Sequence, residues 1–200
     1  MQERMEKPPP DVPDGDVDAK LLSLLDRFPQ DGLSANDIRV VPAAEVPEPY
    51  RKLLVHHHHM TVTLEAYHGD KLRLAVLNRK RQGDDYARKL VLKAGPEDKV
   101  VLSGVMRFHL EQCQEDVRRE ILAESTPLGR ILIEHRVLRW IKPHAYLRVR
   151  LNDELRETFK AAPQTDVTYG RVALIICHNC PAVELLEIVA PAPAADGSRQ

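Results

Sequence analysis

Short segments in which apolar and polar residues alternate recur along this chain, and turn sequences join consecutive segments. Residues 86–92 and 100–110 form one such pair, and residues 171–177 and 182–189 form another around a four-residue turn sequence. Alternation with a period of two is typical of β-strands that bury one face. Because tight turns join neighbours in sequence, we expect these strands to pair antiparallel.

The same pattern predicts a further hairpin earlier in the chain. Residues 61–67 alternate and stop at His68-Gly69-Asp70, which reads as a turn, and residues 71–77 follow directly. The sequence therefore predicts a β-hairpin over residues 61–77.

Helical spacing is confined to three short segments. Residues 18–26 begin at a candidate N-cap, Asp18, and residues 152–159 begin at another, Asn152. Residues 127–135 begin at a proline, which suits the first helical position. Strands outnumber helices in this pattern. The predicted fold class is therefore α+β, with a single antiparallel β-sheet and helices packed on one face.

The two ends of the chain differ in composition from the rest. Residues 1–18 are rich in proline and charged residues and poor in large apolar ones, so we expect a disordered leader. Residues 192–200 are small and polar and are expected to form a flexible tail. Residues 19–191 then constitute one domain, which suits a chain of 200 residues.

Charge and hydropathy exclude several classes of protein. With 29 basic and 30 acidic residues the formal net charge is −1, so a nucleic-acid partner bound through bulk charge is not expected. The longest apolar run, residues 172–177, is far below the roughly 20 residues of a membrane-spanning helix. Three cysteines and the lack of a secretory signal pattern favour a reducing, cytoplasmic location. The oligomeric state stays unknown at this level.

Two motifs are candidate metal ligands. His56-His57-His58-His59 is a run of imidazoles, but consecutive residues cannot all converge on one ion. Cys177 and Cys180 form a C-x-x-C motif without a second such pair. The alternative is that the histidines are partly exposed and the cysteines act as small apolar residues. We expect no metal or other cofactor, and keep a metal-binding protein as a third hypothesis.

Charged residues interrupt three apolar strand segments. Arg107, Arg171 and Glu187 each have apolar neighbours on both sides in the sequence. A buried arginine or glutamate is costly unless it is paired or binds a ligand. Either these residues mark solvent-facing positions, or they surround a buried carboxylate ligand, and periodicity leaves both open.

Four short blocks in this order resemble the chorismate pyruvate-lyase family. Thr126-Pro127-Leu128-Gly129-Arg130 opens an apolar helix, and Leu53-Leu54-Val55 precedes the pair Met60-Thr61. Near the end, Tyr169-Gly170-Arg171 opens a hairpin that closes on Glu187-Ile188-Val189-Ala190-Pro191. The order and approximate spacing of all four blocks carry the resemblance.

The resemblance covers about residues 35–192 and implies helical flaps over a buried ligand pocket. It implies that Arg107 pairs with a ring carboxylate, that Met60 and Leu128 form the pocket walls, and that Glu187 lies near the ring hydroxyl. Arg107 and Glu187 are thus the expected catalytic residues. The implied reaction is elimination of pyruvate from chorismate, or from a related enolpyruvyl or aromatic carboxylate, to leave 4-hydroxybenzoate without a cofactor.

Departures from the family pattern add further candidates. The hairpin before Glu187 is one residue longer, so strand parity could turn Glu184 into the pocket instead. His59, next to Met60, and Arg171 are possible additional site residues. The alternative to a carbon–oxygen lyase is a domain of the same fold that binds a small aromatic carboxylate without catalysis.

Overall fold

The computed structural model describes residues 16–29 and 33–192, and its centre is one seven-stranded sheet. The strand order is β1-β5-β6-β7-β4-β3-β2, and every neighbouring pair is antiparallel. The strands are β1 (Ile38–Val41), β2 (Arg73–Gln82), β3 (Asp85–Ala94), β4 (Lys99–His109), β5 (Arg139–Arg150), β6 (Val167–Cys177) and β7 (Cys180–Val189). The helices are α1 (Val17–Leu25), α2 (Tyr50–Leu54), α3 (Met60–His68), α4 (Glu115–Ala123), α5 (Leu128–Glu134) and α6 (Asp153–Phe159). The predicted α+β class with a single antiparallel sheet is confirmed.

Four helices, α2 to α5, cover one face of the sheet, which we call the pocket face. Their buried side chains share one apolar cluster with strand residues such as Leu90 and Met106. Helices α1 and α6 pack on part of the opposite face, over a second cluster that includes Ala87 and Val105. Side chains alternate between the two faces along a strand, and both faces of the central strands are covered by helices. Successive residues of these strands are therefore buried.

The hairpin between β6 and β7 forms where the sequence predicts it. Cys177 pairs with Cys180, and the two residues between them, His178 and Asn179, have φ of 49° and 68°. Two central residues with positive φ match the right-handed twist of the flanking strands.

The hairpin predicted over residues 61–77 is wrong in its first half. Residues 61–67 belong to α3, and only the second segment becomes a strand, β2. Met60, Thr61 and Leu64 are buried on one side of α3, so packing overrides the strand preference of the β-branched residues. Gly69, with φ of 69°, ends this helix instead of forming a hairpin turn.

Helix α1 begins slightly earlier than predicted. Its N-cap is Asp16, whose side chain accepts from the Asp18 backbone N–H at 3.0 Å, and not Asp18. The remainder of the predicted leader and all but the first residue of the predicted tail lie outside the described residues. No helix in the described ranges is long and apolar enough to cross a membrane.

The N-cap of α6 provides a direct stability test. The Asn152 side chain accepts from the Leu155 N–H at 2.9 Å, as the sequence predicts. We expect Asn152→Ala to lower the free energy of unfolding by about 1 kcal/mol, because one backbone donor loses its partner. Urea denaturation measures this, with Glu157→Ala on the exposed side of the same helix as the control. Equal losses for both variants would contradict the capping role.

Candidate functional site

A cavity lies between the pocket face of the sheet and the first residues of α3 and α5. It holds about 420 Å³ of space between atoms, including its open mouth. Met60 and Leu128 lie in its walls together with other apolar side chains, where the sequence analysis expects them. The polar side chains that line it are His59, Thr61, Arg88, Arg171 and Glu187. Apolar walls with a few polar groups are typical of small-ligand sites.

Gly129 allows the two covering helices to approach closely. A Cβ atom at this position would lie 2.9 Å from Thr61 Oγ1 and 3.0 Å from His59 Cβ. Both contacts belong to residues at the start of α3, so the cover over the cavity depends on a residue without a Cβ.

We expect Gly129→Ala to destabilise the protein by about 1–3 kcal/mol, because α5 has to move away from α3. The measurement is the thermal unfolding midpoint. Gly83→Asn serves as the control, since Gly83 lies in an open turn with φ of 62°, where a Cβ atom would have no neighbour within 4 Å. An unchanged midpoint for Gly129→Ala would show that the helices yield without cost.

Arg88 is the most unusual residue of the cavity. It lies on β3 and is 0% exposed, and its Nε and Nη2 atoms have no hydrogen-bond partner among the described residues. Nη1 donates to the Ile121 carbonyl at 3.3 Å, and the guanidinium carbon lies 5.0 Å from the centre of the Phe108 ring. Burial lowers the pKa of Arg88, whereas the nearby Tyr86 and Glu124 raise it.

Arg107, in contrast, lies outside the cavity, so the expected carboxylate-binding role does not suit its position. In the sheet register Arg88 is opposite Met106, and the next residue, Arg107, points to the other face. There it donates to both carboxylate oxygens of Asp85 at 3.1 Å and to Glu184 at 3.3 Å. Arg107 therefore belongs to a surface ion-pair network.

Glu187 and Arg171 form a buried ion pair in the cavity. Arg171 Nε donates to Glu187 Oε2 at 2.7 Å, and the two residues are 1% and 4% exposed. Arg171 Nη1 also donates to the backbone carbonyls of Leu54 and His56 at 3.3 and 3.2 Å. Strand parity thus places Glu187 on the pocket face and Glu184 on the other.

The four consecutive histidines make separate contacts. His56 Nε2 lies 2.7 Å from the Leu53 carbonyl, and His57 Nδ1 lies 3.1 Å from the Ile141 carbonyl. His58 stacks on His56, with ring centres 5.7 Å apart, and His59 is buried in the cavity wall. Within residues 16–29 and 33–192, no group of three or more potential ligands is arranged to hold a metal ion.

Cys177 and Cys180 are not among the residues that line the cavity. Cys177 is buried, Cys180 is exposed, and both are free thiols. Burial raises the pKa of Cys177 to about 12, so its thiolate is scarce at neutral pH. Its packing in the pocket-face cluster agrees with the apolar alternative from the sequence.

Burial makes two of the histidines difficult to protonate. Burial first, and then the charges of Arg139, Arg171 and His58, lower the pKa of His59 to about 3. Burial and the charge of Arg171 lower the pKa of His56 to about 4. In the unfolded chain both groups titrate near 6.5, so between these values the unfolded state binds more protons.

Protonation of these two histidines is therefore expected to favour the unfolded state as the pH drops below about 6.5, with each contributing at most about 1.4 kcal/mol per pH unit. Urea denaturation from about pH 7 to about pH 5 measures the slope in a range above most carboxylate titrations. The His59→Gln variant should show a shallower slope than the wild type. Parallel curves would mean that His59 titrates equally in both states.

Arg88 is not among the site residues predicted from the sequence, although the sequence contains a signal for it. Arg88 and Lys89 are adjacent within a strand that has apolar residues on both sides. Side chains of neighbouring strand residues point to opposite faces of the sheet. One of these two charged side chains therefore lies on the pocket face, even though the strand is covered on both faces. Lys89 lies on the other face, where it pairs with Glu154.

Comparison with known proteins finds likeness in structure alone. No model of a known protein family matches the sequence, and no curated protein matches it. The crystal structure of a GntR-family transcriptional regulator from Bacillus cereus has a TM-score of 0.41 at 9% identity, covering 60% of this chain and 92% of that one. The effector domain of PhnF from Mycobacterium smegmatis gives 0.47 at 9% identity, covering 66% and 88%. The effector-binding domain of the Bacillus subtilis trehalose repressor gives 0.38 at 11%, covering 64% and 98%.

These likenesses are too distant to indicate what the chain binds. What the structure itself defines is an α+β domain with a covered cavity that contains two buried arginines, Arg88 and Arg171.

Proposed function

We propose that this domain binds a small aromatic carboxylate in the cavity and that Arg88 holds the carboxylate group. The observation that supports the proposal is the buried guanidinium of Arg88, whose Nε and Nη2 atoms bond no other residue in the part of the chain that the structure describes. Leaving such donors unpaired costs free energy, and an arginine presents them in a fork that matches a carboxylate. A bound carboxylate would satisfy both donors and neutralise the charge.

The apolar walls favour a flat, largely apolar body for this ligand. Met60, Leu128 and Met106 line the space next to Arg88. A benzoate-like molecule would bury its ring against these side chains and place its charge on Arg88.

Binding without catalysis is the better supported function. Glu187 is the one carboxyl group among the described residues that line the cavity, and Arg171 already occupies it. A general acid or base needs a carboxyl group that is free to exchange a proton with the ligand. His59 accepts a hydrogen bond from Arg139 and is held neutral by burial, so it is also poorly placed for proton transfer.

Elimination of pyruvate from chorismate is the second candidate function. It is favoured by the presence of Met60, Leu128 and Glu187 around one cavity, as the family resemblance implies. Aromatisation supplies the driving force of that reaction, so orientation and exclusion of water contribute much of the catalysis.

One experiment distinguishes the two functions. The protein is titrated calorimetrically with 4-hydroxybenzoate and with benzoate, and is separately incubated with chorismate while pyruvate and 4-hydroxybenzoate are quantified. Saturable binding without pyruvate release supports the binding domain. Equimolar pyruvate and 4-hydroxybenzoate, absent with Arg88→Met protein, would establish the lyase and overturn the non-catalytic assignment. Absence of both binding and turnover would remove the aromatic-carboxylate function.

A further inference from the structure

The contact between His59 and Arg139 determines which ring nitrogen of His59 carries the proton. His59 precedes the first turn of α3, lines the cavity, and is 8% exposed. Arg139 Nε donates a hydrogen bond to His59 Nε2. An arginine side chain has donors and no acceptor, so Nε2 has to be the unprotonated, accepting nitrogen.

The proton of His59 must then be on the other ring nitrogen. A ring that accepts at Nε2 cannot be an imidazolium, since both nitrogens of the cation carry protons. The neutral ring consequently has its N–H at Nδ1, and no hydrogen-bond partner for Nδ1 is present in the described part of the chain. His59, which lines the mostly apolar cavity, thus has its N–H fixed at Nδ1.

His59 and Arg88 are next to strands that are well separated in the sheet. The hydrogen bond from Arg139, the first residue of β5, places His59 on the side of β5 and its neighbour β6. Arg88 is on β3, and two strands separate β3 from β6 in the sheet. At about 4.8 Å per strand spacing, the backbones that carry Arg88 and Arg171 are about 14 Å apart.

We propose that His59 is a specificity-determining residue whose Nδ1–H donates to an oxygen acceptor on the ligand, at the end of the molecule remote from the carboxylate. This inference rests on the proposed carboxylate site at Arg88. It narrows the ligand class to aromatic carboxylates with a carbonyl, hydroxyl or ether oxygen at their far end. Arg139 is a positioning residue, because it selects the tautomer without contacting the ligand.

The tautomer is measured on the free protein, without a ligand. In uniformly ¹⁵N-labelled protein, long-range ¹H–¹⁵N correlation spectra distinguish an Nδ1–H ring from an Nε2–H ring, and the His59→Asn spectrum assigns the His59 signals among the nine histidines. The expected result is a neutral Nδ1–H tautomer. Arg139→Met should release the constraint and change the tautomer balance. An Nε2–H or doubly protonated His59 in the wild type would overturn the inference.

Two matched probes test recognition by the donor. 4-Formylbenzoate and 4-vinylbenzoate have nearly the same shape, but the first has a carbonyl oxygen where the second has a CH₂ group. The formyl group accepts and cannot donate, so a preference for it reports a protein donor and not Glu187. We expect the wild type to bind 4-formylbenzoate roughly fivefold more tightly, as one added neutral hydrogen bond implies.

Two variants of His59 separate the roles of its nitrogens. An asparagine amide lies where Nδ1 lies and keeps a donor toward the cavity, whereas a glutamine amide reaches the position of Nε2. His59→Asn should retain the preference for the formyl probe, and His59→Gln should lose it while keeping its contact with Arg139. Equal preference in both variants would overturn the inference.

The affinities of the two probes distinguish a wrong role for His59 from a wrong carboxylate site at Arg88. If both probes bind, lose affinity in Arg88→Met, and show no formyl preference, the carboxylate site stands and the His59 role is refuted. If neither probe binds, the carboxylate site fails, and the role of His59 in recognition fails with it whatever its tautomer.

Discussion

Arg88→Met protein is expected to bind benzoate and 4-hydroxybenzoate roughly 10- to 150-fold more weakly than the wild type, a loss of about 1.5–3 kcal/mol. Methionine is an unbranched side chain that can pack on the Phe108 ring in place of the cation–π contact of Arg88. It lacks the Nε and Nη2 donors, which bond no other described residue. Isothermal titration calorimetry at constant ionic strength measures the difference. Both affinities should fall by a similar factor, because the carboxylate that Arg88 would hold is common to the two ligands.

Arg107→Gln is the matched control for this variant. Arg107 is on the neighbouring strand, but its guanidinium bonds Asp85 and Glu184 on the opposite face of the sheet. Its loss should leave ligand affinity unchanged within experimental error. If Arg107→Gln weakened binding as strongly as Arg88→Met, the carboxylate would bind near Arg107 on the opposite face of the sheet. The assignment of the ligand to the cavity would then be wrong.

The same Arg88→Met substitution should stabilise the protein when no ligand is present. A buried guanidinium that forms no direct ion pair with another described residue costs desolvation free energy that a methionine does not. Arg88→Met is therefore expected to unfold at a higher urea concentration than the ligand-free wild type while binding ligand less well. Opposite changes in stability and affinity are the signature of a residue kept for binding. A destabilised Arg88→Met protein would show that the contact with the Ile121 carbonyl outweighs this cost.

Glu187→Leu is expected to lower the free energy of unfolding by about 3–5 kcal/mol, because it leaves the Arg171 guanidinium buried without its carboxylate. The pair is almost inaccessible to solvent, at 1% and 5% side-chain exposure. Urea denaturation of the purified variant measures the loss. Replacing both partners, as Arg171→Met with Glu187→Leu, should recover much of the stability, although two backbone carbonyls lose their donor.

Glu184→Leu provides the comparison on the same strand. Glu184 pairs with Arg107, but both side chains are more than a fifth exposed, at 21% and 24%. Solvent screens such a pair, so the expected loss is below about 1 kcal/mol. A loss for Glu184 as large as that for Glu187 would mean that burial does not determine the strength of these two pairs.

Local sequence was sufficient to predict much of the sheet. The strands β3, β4, β6 and β7 lie where apolar and polar residues alternate. The turn between β6 and β7 falls within the predicted four residues, but it is two residues long because Cys180 and Pro181 already belong to β7. The cap at Asn152 follows from its own side chain and the next three residues. These features depend on interactions between residues close in sequence, which are therefore visible in it.

Helix α3 shows where local pattern was insufficient. Residues 61–67 alternate like a strand, but burial of Met60, Thr61 and Leu64 against the sheet and α5 makes this segment helical. No local signal reports the surface on which a segment will pack. Tertiary contacts, which involve residues distant in sequence, decided this element.

The sequence by itself determined that charged residues interrupt apolar strand segments, and it left open whether they face solvent or surround a buried ligand. Only the tertiary structure decided which of them face the cavity. Helices on both faces bury β3 and β4 on both sides, so burial alone does not show which face a given side chain takes. The register then places Arg88 and Glu187 on the pocket face, and Arg107 and Glu184 on the other. A shift of one residue along a strand exchanges these sets, and that choice depends on the packing of the whole sheet.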